Sequence, residues 1–64
     1  MDELIADLSD VFRSQYQFID NLRPKKTREM ALAVQNDVVE SVAHCISKRT
    51  EYTVEVLNRL FTSR

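Results

Sequence analysis

Glycine is absent from this 64-residue chain, and so is tryptophan. Tight β-hairpins lean on Gly or Asn at positive φ, and the chain has no "NG" or "DG" pair. That argues against a β-rich fold and against the glycine-rich loops that cradle phosphates. Proline and cysteine occur once each. A lone Cys45 leaves no disulfide within the chain. His44 and Cys45 are the only soft metal ligands, where zinc takes about four. Long apolar runs are missing as well. The longest, "MALAV", falls far short of the roughly 20 residues that cross a bilayer. An excess of either charge is also lacking. A formal net charge of −1 gives no whole-protein pull toward nucleic acid or an acidic membrane. The opening "MDELIADL" carries acids where a secretory leader needs a basic segment and then an apolar one. The expectation is a cytoplasmic or nuclear protein with no membrane partner.

What is present is helical periodicity. In residues 3 to 22 three heptad-spaced series stand side by side: Leu4, Val11, Phe18; Ile5, Phe12, Ile19; and Leu8, Gln15, Leu22. At about 100° per residue they cover an arc of roughly 120–140°. That is wider than the seam of a two-stranded coil. Asp2, Glu3 and Asp7 sit in the opening turns, where acids favour the positive end of the helix dipole. A helix is expected over about 3–21, then a turn over about 22–25.

Pro24 is tolerated in a first helical turn and opens a second helix, expected over about 26–48. Its apolar residues are Met30, Ala31, Leu32, Val34, Val38, Val39, Val42, Cys45 and Ile46. They spread over roughly 200°, so this helix should touch more than one neighbour. In "EYTVEVLNRLF", Tyr52, Val56 and Leu60 repeat at i+4 spacing, with Leu57 and Phe61 beside them. Between the two segments "SKRTEYT" holds no Gly or Pro to force a break. One option is a single helix over about 26–62. The preferred option is a break near 48 to 51, with Thr50 capping a third helix over about 50–62. Either way the fold class is all-α: one domain over 1–64, a small helical bundle of two or three helices. A chain this short buries only roughly 60% of the surface its unfolded form exposes. Disulfide and metal staples are lacking, so completion of the core by dimerisation is expected. Phe12, Ile19, Val39, Val42 and Ile46 are the expected core.

Chemistry-bearing residues are scattered. Adjacent residues on a helix do not face each other, so His44 and Cys45 share no site. Cys45 falls on the apolar arc and reads as a small core residue. Glu40, His44 and Lys48 form an i, i+4 column that reads as an exposed charge ladder. Asp7 and Asp10, like Asp37 and Glu40, read as solvent-facing pairs. No nucleophile–base pair, phosphate loop or metal-ligand spacing occurs. The reading is therefore not an enzyme, with no cofactor, metal or catalytic residue expected.

Charge is segregated within the small net value. Residues 1 to 20 carry Asp2, Glu3, Asp7, Asp10 and Asp20 against Arg13 alone. "NLRPKKTREM" concentrates Arg23, Lys25, Lys26 and Arg28 at the expected turn. Arg23 at the end of the first helix suits its dipole, whereas cations at the start of the second do not. The leading expectation is a small protein-protein interaction or oligomerisation module, acting as an adaptor or regulator by docking a helix face. Its expected partners are a second copy of itself and a larger protein. Phe12, Tyr16 and Tyr52 are the expected contacts, with Tyr16 at the margin of its arc. The alternative is a nucleic-acid-binding regulator that grips phosphates with Arg23, Lys25, Lys26 and Arg28 in a helical dimer.

Overall fold

A computed structural model describes residues 2–63. Three helices form a small all-α bundle: α1 over Asp2–Asp20, α2 over Lys25–Ser47 and α3 over Val54–Thr62. The first two bounds agree with the periodicity to within one residue. At about 1.5 Å per residue α1 and α2 are roughly 28 and 34 Å long, and α3 only about 13 Å. They run as an antiparallel hairpin, with α3 packed on both near the end opposite the turn.

α1 stops where Pro24 pushes its predecessor out of the α region. Asn21 and Leu22 close the last turn with bonds to Phe18 and Ile19 carbonyls. Arg23 therefore lies beyond α1, whose last turn holds no basic residue. The expected favourable contact of Arg23 with the dipole is corrected by that boundary. Pro24 stands at the N-cap of α2, and Lys25 and Lys26 occupy its first turn.

The single long helix over 26–62 is excluded. The chain leaves helical geometry after Ser47 and re-enters at Val54. Thr50 does not cap α3 as expected. Its hydroxyl instead donates to the Ile46 carbonyl and accepts from the Tyr52 N–H, holding the bend. The cap is Thr53, whose side chain accepts from the Val56 N–H.

The core joins Ile5, Phe12, Tyr16, Val39, Ala43, Leu57 and Phe61. Phe12 and Phe61 meet at 5.1 Å between ring centroids, tilted by 57°. Of the expected core, Phe12, Ile19 and Val39 are buried. Val42 and Ile46 are only half-buried, and Ala43 takes the central place. A methyl lets α2 approach its neighbours where a larger side chain would hold them apart. On α3 the inner face is Leu57 and Phe61, both fully buried, while Val56 and Leu60 of the expected series point outward.

Candidate functional site

Two side-chain pairs define the two sides of the α1–α2 hairpin. The Tyr16 hydroxyl donates to Asn36 Oδ1, and Gln35 Nε2 donates to Gln15 Oε1. One residue along a helix is a turn of about 100°, so the two pairs lie on opposite sides. The Tyr16 side is the side of α3, where Ile5, Ala6, Ser9 and Arg13 line a groove with Tyr52 and Leu60. The Gln15–Gln35 side has no third helix over it.

That open side carries most of the exposed apolar surface. Leu4, Val11 and Phe18 of α1 are 54%, 50% and 69% exposed. Their heptad spacing puts them in one stripe along the helix. Across from them α2 presents Val38, with Ala31, Val34 and Cys45 along the same side. Two shallow grooves run between the helices on this side. Leu4 and Ile5 face Cys45, Ile46 and Arg49 at one end. Ile19 faces Met30, Ala31 and Val34 at the turn end. The three neighbouring series of the α1 arc thus have different fates. Only Ile5, Phe12 and Ile19 go into the core.

The expected contact residues are elsewhere. Phe12 is buried, and Tyr16 is just 1% exposed. The structure corrects the marginal position expected of Tyr16: α3 extends the core across that flank of α1, and the phenol enters it with its hydroxyl satisfied by Asn36. Neither ring offers surface in the folded chain. Tyr52 is half-buried and packs against the core. Cys45 is also corrected, because its thiol is exposed rather than buried. The apolar arc of α2 is wider than α1 and α3 together can cover, and Cys45 lies on the uncovered edge.

The polar features are loosely held. Arg23, Lys25 and Lys26 are exposed and Arg28 is half-buried. Lys25 pairs with Glu29 at 3.8 Å, both side chains well solvated. His44 Nε2 lies 3.8 Å from Glu40 Oε1 on the exposed ladder. Arg13 and Asp10 pair at 3.4 Å. Among the described residues no three metal-ligating side chains converge, and no helix is long and apolar enough to cross a membrane. Heptad spacing finds Leu4, Val11 and Phe18 as a unit. Its exposure depends on where α3 docks, and that is not a local property.

Set beside protein-family models, curated proteins and solved structures, the chain has no significant match.

Proposed function

We propose that this chain is a protein-protein interaction module whose docking surface is the open α1–α2 face. The observation that carries the reading is the heptad-spaced set Leu4, Val11 and Phe18, exposed with Val38 on the side that α3 leaves bare. Apolar side chains scattered singly are normal on a protein surface, but several large ones gathered on one side of two helices favour a contact. An amphipathic partner laid along the groove would bury it, with Phe18 as the largest anchor. As an adaptor or regulator the module acts by occupying or releasing that face.

The test is site-specific photocrosslinking. Benzoylphenylalanine at Val38 sits on the face, and the same probe at Glu55 sits on α3 as the control. In the native cell, adducts are expected from position 38 and not from 55. Adducts from neither position, or equally from both, would overturn the reading.

The basic turn supports a second reading, on the observation that Arg23, Lys25 and Lys26 are all exposed at the hairpin tip. Phosphate contact would make binding fall steeply with salt, whereas apolar docking would barely change.

A further inference from the structure

The occupant of the open face follows from area, symmetry and charge. Folded monomers of 7.5 kDa expose about 4,250 Å² by the usual mass scaling. This chain exposes 4784 Å². The excess is about 500 Å² per copy, so two copies hiding it from each other would bury about 1,000 Å², the size at which specific interfaces begin. The stripe Leu4, Val11, Phe18 has its centre at Val11, with seven residues on each side. Laid against its own copy in the opposite direction, it is self-complementary: Leu4 meets Phe18 and Val11 meets Val11. That is the isologous contact a two-fold dimer requires.

Charge selects this direction. The turn end holds Arg23, Lys25, Lys26 and Arg28 against Asp20 and Glu29. Among the described side chains the opposite end holds Glu3, Asp7 and Glu51 against Lys48 and Arg49. The ends thus differ in sign. Stacking two copies turn to turn would set like against like, whereas reversing one copy sets the basic turn beside the acidic end.

Resting on the reading of this face as a docking surface, we infer that its partner is a second copy of the chain. The two copies stack with their α1 helices antiparallel about an axis at Val11. The α1–α2 hairpins form a four-helix core, and both α3 helices stay outside.

Purified protein tests this. Sedimentation equilibrium is expected to give twice the 7.5 kDa chain mass. Val11→Asp would set two carboxylates together at the axis and weaken association about 100-fold or more. Val11 is half-exposed, so circular dichroism should remain that of the parent chain. Val38→Asp provides an independent loss on α2. Direction is read by oxidising Val11→Cys and Phe18→Cys, each in a Cys45→Ser background. A disulfide needs Cα atoms within about 7 Å. Antiparallel stacking brings the two Val11 positions together and keeps the two Phe18 positions roughly 21 Å apart. Rapid cross-linking of the first and not the second is expected. A monomer at millimolar concentration would overturn the inference, as would a dimer that cross-links only at Phe18→Cys or at neither position. If the chain is monomeric yet position 38 yields adducts with heavier proteins, the second-copy inference fails and the docking reading stands. If no adducts form either, both fail.

Discussion

At the scale of the residue, Tyr16 shows what burial does to an amphipathic side chain. Its ring is part of the core, and its hydroxyl is satisfied twenty residues away at Asn36. Tyr16→Phe keeps the ring and removes the bond to Asn36, but leaves the Asn36 side chain near solvent, since Asn36 is exposed. The expected cost is about 1 kcal/mol, measurable as a lower urea midpoint at unchanged slope. A change above about 3 kcal/mol would show that the hydroxyl organises more than this pair. Spacing along α1 placed Phe12 and Ile19 on the apolar arc, and both are buried. Spacing misplaced Tyr16, at the margin of the α1 arc, and Cys45, on the uncovered edge of the α2 arc. An edge residue is buried or exposed according to which neighbour docks on that side, and no local pattern carries that information. Ala43 escaped for another reason: a methyl gives a weak apolar signal, although the residue is fully buried in the core.

At the scale of the element, the break between α2 and α3 does the most to shape the surface. Nothing in "SKRTEYT" forbids helix, so the bend rests on hydroxyls that compete with helical hydrogen bonds. Thr50 holds the end of α2, and Thr53 caps α3. Thr53→Ala should cost about 1 kcal/mol. With α3 only nine residues long, that loss should appear first as faster amide exchange in α3. Uniform exchange across all three helices would mean that α3 does not open separately. The sequence left one helix or two open, and the preferred break near 48 to 51 falls within the observed interruption. The cap was not legible, because Thr50 and Thr53 are equally good caps on paper. The turn between α1 and α2 is a simpler case. Changing Lys25, Lys26 and Arg28 to Gln removes one solvated ion pair and relieves cations at the start of a helix. Stability should move by less than about 0.5 kcal/mol per site. Polarisation assays at low salt with short DNA and RNA duplexes check the rival role. The expected result is no sub-micromolar binding to lose. Binding that disappears in the triple variant would favour the nucleic-acid reading.

At the scale of the whole molecule, the radius of gyration is 12.3 Å. A compact domain of this length would have about 10.7 Å. The chain is 39 Å along its major axis and 12 Å along its minor one. An elongated hairpin with a short third helix at one end cannot wrap its own apolar arcs. Composition foretold the shortfall, since a 64-residue chain with no disulfide or metal ligand set has little else to stabilise it. Which arc stays bare was not foretold, because α1 and α2 each offer more apolar surface than one partner can cover. If a second copy covers the bare side, folding and association are linked. Each tenfold rise in concentration should then add about 1.4 kcal/mol to the dimer. For a unit of this size that raises the thermal midpoint by roughly 3–6 °C. Calorimetry from 10 to 1,000 µM should therefore show a rising midpoint for the parent chain, on the order of twice that step. Val11→Asp should melt at one lower temperature throughout, because a monomer has no mass-action term. A parent chain whose midpoint stays flat over that range would mean that Ile5, Phe12, Val39, Leu57 and Phe61 hold the fold alone. The stripe at Leu4, Val11 and Phe18 would then be left for a different protein.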